Sequence, residues 1–330
     1  MHQQQQQSQQ RQCGHILPSV LPPVRRIIAI GDLHGDFRVL LQCLRLAKVI
    51  DTYTRNWVGG DTVVVQLGDQ VDSKCRPLPR QQQQQQQQKQ KQQQRQQQCE
   101  KDDVGDELKI IKFLDELHRR AQETNGAVYS LLGNHELMNV MGNINYASAE
   151  NLVMFGGAKG RLNQFAPSGE IAVYLACNRN SIMKIGDFIF VHGGLLPKKA
   201  QQHTLENINR IIREYLLGNK AQSEPEVQDM LVGQESPFWT RMFSDLLSGN
   251  SPESCAALHE SIEYLKVKGM VVGHTVQPQG INSGCQGRIW RTDVALSRSF
   301  GPGGGGGGQN KKKKIQVLEI LNNGSEINVL

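Results

Sequence analysis

Five short apolar runs, each ending in an acid, an asparagine or a histidine, constrain this chain more than any other feature. They are "IIAIGDLHGD" (27–36), "TVVVQLGDQVD" (62–72), "AVYSLLGNHE" (127–136), "FIFVHGG" (188–194) and "MVVGHT" (270–275). Brief β-branched and apolar runs without alternation read as strands buried on both faces. Helical patterns lie between several of them. "DFRVLLQCLRLAKVI" (36–50) sets Leu40, Leu44 and Ala47 at helical spacing, and "DELKIIKFLDELHRRA" (106–121) repeats Leu108, Ile111, Leu114 and Leu117. The second pattern ends in basic residues, as the helix dipole favours. Strands alternating with helices predict an α/β sheet, in which ligands gather at the C-terminal ends of strands.

Those ends carry Asp32, His34, Asp69, Asn134, His192 and His274. This is an O/N donor set without thiolates, suited to Mn, Fe or Zn. Six ligands are too many for one catalytic ion with an open position, but they fit two ions that share a carboxylate. Two ions about 3.5–4 Å apart lower the pKa of a water between them and clamp a phosphoryl group for in-line attack. Each piece alone is weak evidence: an Asp-x-His can cap a helix, and a Gly-His pair is close to noise. Five pieces in order, each after an apolar run, are hard to explain as caps. Glycines beside the ligands allow sharp turns and close backbone approach.

GDLHG, GDQVD, GNHE, HGG and a late GH, in this order, resemble the calcineurin-like metallophosphoesterase superfamily and its phosphoprotein phosphatase branch. "NWVGGDTVVVQLGD", "LLGNHELMN", "SPFWTRMF", "VVGHTVQPQGI" and "GRIWRTDVALS" narrow the resemblance to the Shewanella-like protein phosphatases, from about Arg25 to Ile320. The resemblance implies a four-layer αββα sandwich with two central mixed β-sheets. It implies that Asp32 and His34 hold a first divalent ion, that Asp69 bridges, and that Asn134, His192 and His274 hold a second. His135 would protonate the leaving oxygen with Asp72 as its carboxylate partner, and phosphorylated proteins would be the substrates. A histidine beside a metal ligand, oriented by an acid, is also a general-acid arrangement on its own terms. Arg241, in "SPFWTRMF", matches a substrate-binding arginine of that family. One departure stands out: the family's second motif ends Asp-Arg-Gly, whereas Asp72 is followed here by Ser73 and Lys74. Arg76 is the candidate to replace that arginine.

Composition sets the domain limits. The first twelve residues are mostly glutamine, Gln81 to Gln98 is glutamine with a few Lys and Arg, and Gly303–Gly308 runs into Lys311–Lys314. Such segments cannot bury apolar surface and read as disordered. The expected layout is a Gln-rich tail over 1–24 and a catalytic domain over 25–325, with insertions at 77–104 and 301–314. Four of the charges behind the net +6 belong to the lysine run, read as a solvated loop, so nucleic acid is not an expected partner. No membrane span is expected, because no apolar stretch approaches about 18 residues. Seven cysteines without paired spacing argue against a disulfide framework and for a reducing compartment, the cytoplasm or nucleus.

Other residues read as structural. Trp57, Trp239 and Trp290 suit core or pocket walls, Cys43 a buried helix face, Cys75 and Cys99 an inert pair of insertion flanks, and His118 and His259 exposed helix positions. Two other functions compete with a protein phosphatase. The same ligand set serves small phosphate esters or dinucleoside polyphosphates, and Ser73 leaves room for a catalytically weak phospho-binding module.

Overall fold

The computed structural model describes residues 13–74, 105–300 and 315–330. The first twelve residues, Cys75, Arg76, Cys99, the Gln-rich stretch and the Gly/Lys stretch lie outside the described residues. All five apolar runs form strands. They are β2 (Arg26–Ile30), β3 (Val63–Gln66), β4 (Ala127–Ser130), β6 (Phe188–Val191) and β7 (Gly269–Val272). Six further strands were not evident in the apolar pattern: β1 (Val20–Leu21), β5 (Ile182–Ile185), β8 (Asn282–Gly284), β9 (Ile289–Arg291), β10 (Leu318–Leu321) and β11 (Glu326–Val329).

The strands make two mixed sheets, one of six strands in the order β1-β5-β6-β7-β9-β8 and one of five in the order β11-β10-β2-β3-β4. Within them β2, β3 and β4 run parallel, as do β6 and β7. Every run that ends in a candidate ligand therefore belongs to a parallel set, and the ligands leave each set at one edge.

Period-two alternation decides which face of the six-stranded sheet meets what. Met183, Ile185, Phe188, Phe190 and Val271 join the core built on β2, β3 and β4. Their neighbours Ile182, Ile189, Val191, Met270 and Val272 point the other way, into a second core. That second core also takes Leu175 from a helix at Glu170–Asn178 and Ile208, Ile211 and Ile212 from one at Leu205–Leu216. On the outer face of the five-stranded sheet lie α1 (Phe37–Leu46), through Leu40 and Leu44, and α2 (Glu107–Gln122), through Ile110, Leu114 and Leu117. Helix, sheet, sheet, helix is the expected αββα order.

Three expectations need correction. Ser19 is buried, and Val20 and Leu21 pair with Lys184 and Ile185, so paired structure starts ahead of Arg25; it also continues past 325 in β11. Cysteines do pair: Cys13 with Cys177 and Cys255 with Cys285, at sequence separations of 164 and 30. These pairs are set by tertiary neighbours rather than by spacing, and the cysteine argument for a reducing compartment falls with them. His118 is half-buried, because its Nδ1 accepts the Val128 N–H at 3.1 Å, and His259 is half-buried as well. Cys43 is buried, as expected. No helix among the described residues is long and apolar enough to cross a membrane.

Candidate metal centre

The turns after β2, β3 and β4 are locked together by backbone bonds. Asp69 O accepts the N–H groups of Leu33 and His34 at 3.0 and 2.9 Å. Helix α3 (Asn134–Val140) starts directly after β4, and Glu136 in its first turn reaches back to the turn after β3. Its two oxygens accept four backbone N–H groups, from Asp69 (2.9 Å), Gly133 (2.7 Å), Gln70 (2.7 Å) and Val71 (3.2 Å). The last letter of GNHE is thus a brace, a role sequence reading did not assign. Close approach explains the glycines. A Cβ on Gly133 would lie 2.2 Å from Asp69 Oδ1 and 2.4 Å from Asp69 N. Overpacking of this kind costs about 1–3 kcal/mol, so Gly133→Ala is expected to lower stability by that amount in urea unfolding. An unchanged midpoint would show that the turn is free to yield.

Histidines frame Asp69 in two groups. His34, Asp69 and His135 offer ligand atoms within 4.8 Å of one another, and so do Asp69, His192 and His274. Asp69 Oδ2 is 3.7 Å from His34 Nε2 and 3.4 Å from His192 Nε2. His192 Nε2 and His274 Nδ1 both lie 2.9 Å from Asn134 Oδ1. Asp32 belongs to neither group; both its oxygens sit 3.2 Å from the His274 N–H, and the absent side chain of Gly273 leaves space for Oδ1.

Hydrogen-bond accounting tests whether this set fits a metal. His192 Nδ1 is 2.7 Å from Leu67 O and His34 Nδ1 is 3.1 Å from Val71 O. A carbonyl only accepts, so each Nδ1 carries the hydrogen and each neutral ring turns a bare Nε2 lone pair inward. The His192 lone pair then faces the carbonyl oxygen of Asn134, a second acceptor. A proton on Nε2 or a metal ion between the two atoms relieves that opposition, and the donor types fit a divalent ion. His274 Nε2 is buried without a hydrogen-bond partner, so that ring is placed by its inward Nδ1 alone.

The charges agree. Burial opposes a charged His192, but the Asp69 and Asp32 carboxylates overcome it and raise the imidazole to about 10. Burial, and then Asp293 and Asp69, hold Asp32 well above the usual carboxylate range. Burial also works against ionisation of Asp69, yet His192, His135 and His34 keep it well below that range. The pocket is short of positive charge. Asp293, within the "GRIWRTDVALS" stretch, is a contributor that sequence reading did not single out.

His135 faces this cluster from the other side. Its Nδ1 is 2.8 Å from Asp72 Oδ2, so the hydrogen sits on Nδ1, while Nε2 lies 4.0 Å from Asp69 Oδ2. Ser73 is buried and its Oγ accepts from Asn151 Nδ2 at 2.7 Å. Tyr146 stacks edge-on at 5.1 Å from His135, and Trp239 stands 6.0 Å from His274 as a pocket wall. Arg241 is exposed; after burial and His192, it helps hold the His274 imidazole well below its usual value, which places its charge beside the site.

The model of the calcineurin-like phosphoesterases matches residues 25–278. The chain belongs to that family. Calcineurin-like phosphoesterases are hydrolases that use divalent metals, in keeping with the His/Asp cluster. Among its relatives, Shewanella-like protein phosphatase 2 of Arabidopsis thaliana is 28% identical over 88% of this chain and 76% of its own length. An uncharacterized protein of Acanthamoeba polyphaga mimivirus is 34% identical over 64% of this chain and 95% of its own. A solved cold-active protein tyrosine phosphatase shares the fold with a TM-score of 0.71 at 21% identity, over 97% of this chain and 82% of the other.

Proposed function

We propose that this calcineurin-like phosphoesterase is a two-metal protein phosphatase that hydrolyses phosphoserine/threonine or phosphotyrosine monoesters. The observation that supports it is a shared acceptor: Asp69 Oδ2 faces His34 Nε2 and His192 Nε2 at once, as a carboxylate between two ions would. Asp32 and His34 would hold one ion, and Asn134, His192 and His274 the other, with Asp69 common to both. Mn, Fe or Zn suits the donors. When bound, the ions make a water nucleophilic near neutral pH and offset the charge of the phosphoryl oxygens.

The remaining work falls to side chains. His135 turns Nε2 towards the cluster and gives a proton to the leaving oxygen, while Asp72 fixes the ring through Nδ1. Tyr146 and Trp239 place aromatic rings beside His135 and His274, where they can contact the leaving group. Arg241 is exposed with its charge acting on His274, and its fork suits phosphoryl oxygens. Hydrogen bonds to charged groups contribute about 1.5–3 kcal/mol, so Arg241→Ala is expected to lower kcat/KM ten- to a hundredfold or more. An unchanged kcat/KM would remove Arg241 from the site. Arg76→Ala should give a smaller loss of the same kind if that residue supplies a second contact.

The reading as a whole is tested by metal analysis of the purified protein together with a substrate panel. Phosphoserine, phosphothreonine and phosphotyrosine peptides are compared with a diadenosine polyphosphate. Turnover of a phosphopeptide supports the proposal; turnover of the dinucleotide alone would sink it.

A further inference from the structure

Behind Asp72 lies a polar network with no counterpart in the ligand motifs. Arg161 sits on a helix at Ala158–Phe165 and is fully buried. Its Nη2 donates to Asp72 Oδ1 at 3.1 Å, its Nη1 to Glu107 Oε2 at 2.7 Å and its Nε to Asn139 Oδ1 at 2.7 Å. Phe155 and Phe165 lie over the guanidinium at 5.0 and 4.8 Å. Asn139 Nδ2 in turn donates to Asp72 Oδ2 at 3.0 Å and to the His135 carbonyl at 2.9 Å. Glu107 Oε1 accepts the Asp72 N–H at 2.6 Å, and Asp72 itself adopts a left-handed φ of 68°.

Both oxygens of Asp72 are therefore committed: Oδ1 to Arg161, Oδ2 to His135 and Asn139. The backbone is held too, by Glu107. Two carboxylates and one guanidinium share a dry site, where an unpaired carboxylate would take up a proton and release the ring. Burial drives Glu107 up to about 7 even though Arg161 opposes it, so the guanidinium has no charge to spare.

We propose that Arg161 is the positioning residue for proton donation: it fixes Asp72 so that His135 presents Nε2 to the leaving oxygen. The inference rests on the phosphatase reading above. In the step it serves, hydroxide oxygen adds to phosphorus, its hydrogen staying on the phosphate product, and the P–O ester bond breaks. The bonding pair goes to the leaving oxygen, which takes the Nε2 proton from the imidazolium. The neutral ring keeps its Nδ1–H on Asp72. A merely structural ion pair would hold α2 to the Ala158–Phe165 helix and treat all substrates alike.

The test compares phenyl phosphate, whose leaving group needs the proton, with p-nitrophenyl phosphate, which hardly does. A misplaced catalytic group costs about 10²-fold, so Arg161→Met is expected to lose about that factor in kcat on phenyl phosphate. The loss on the nitrophenyl ester should stay below about tenfold, and KM should change less than about twofold. Arg161→Lys should recover part of the difference. In an Asp72→Asn background, Arg161→Met should add little, because the two act as one unit. Melting temperature checks the fold. If Arg161→Met does not fold, Asn139→Ala replaces it, since every buried charge stays paired there, and it must show the same bias. Equal losses on both esters in the folded variants, or additive losses in the double variant, would overturn the proposal while leaving the phosphatase reading intact. A wild-type protein inactive on both esters when metal-loaded would overturn that reading and this one with it.

Discussion

Asp69→Asn is expected to lower kcat by far more than about 100-fold, the upper range for losing a group that only supports a metal ligand. Among the described residues this carboxylate is common to both histidine groups, at 3.7 Å from His34 and 3.4 Å from His192. An amide replaces one oxygen by a donor and removes the negative charge. The loss therefore falls on both halves of the cluster at once rather than on one. Metal content should drop with the rate, from two ions towards one or none. The fold should persist, because the turn is held by its backbone: Asp69 O still takes two N–H groups, and Asp69 N still reaches Glu136. Replacing the acid relieves a carboxylate that raises Asp32, but it also removes the charge that His192, His135 and His34 stabilise. Thermal stability without metal should therefore fall somewhat at neutral pH while the chain still folds. A near-normal rate at saturating Mn²⁺, with a normal melting temperature, would rule out a shared carboxylate between two ions.

The contrast between what was legible in the chain and what was not follows from how each element is buried. β2, β3, β6 and β7 are interior strands, and β4, although at one edge of its sheet, is buried throughout, so all five read as apolar runs. β8 and β11 are edge strands with exposed positions, and "NSG" or "EINV" carries no such signature. The ligands were legible because each follows its strand directly. Glu136 stood in plain view within GNHE, but its task depends on the turn after β3, whose distance from α3 no spacing reveals. Arg161, Asn139 and Glu107 come from three separate helices and meet only in the folded core. A lone arginine between Phe155 and Phe165 gave no sign that two carboxylates waited behind it. The cysteine pairs failed for the same reason, since Cys13 reaches Cys177 only after the amino-terminal segment has packed beside β5.

His135→Asn is expected to separate substrates rather than lower all rates equally. His135 Nδ1 is tied to Asp72 at 2.8 Å, and the ring is buried between His34 and Tyr146, which leaves Nε2 as the atom that faces the reacting group. General-acid assistance is worth about 10²–10⁴-fold, and its value depends on the leaving group. A serine alkoxide is too basic to depart without a proton, so phosphoserine peptides should lose the full factor. Nitrophenolate leaves nearly unaided, so p-nitrophenyl phosphate should lose much less, with phosphotyrosine between the two. Asparagine keeps a donor near Asp72 and similar bulk, which protects the packing while removing the proton that Nε2 would deliver. The ion at the His192, His274 and Asn134 cluster should stay bound, because that cluster does not pass through this ring, and the other should stay if Asp32, His34 and Asp69 suffice to hold it. Metal content therefore distinguishes a lost acid from a collapsed site. Unchanged metal with equal losses on phosphoserine and nitrophenyl substrates would mean that His135 only packs against the centre, and that the proton comes from elsewhere.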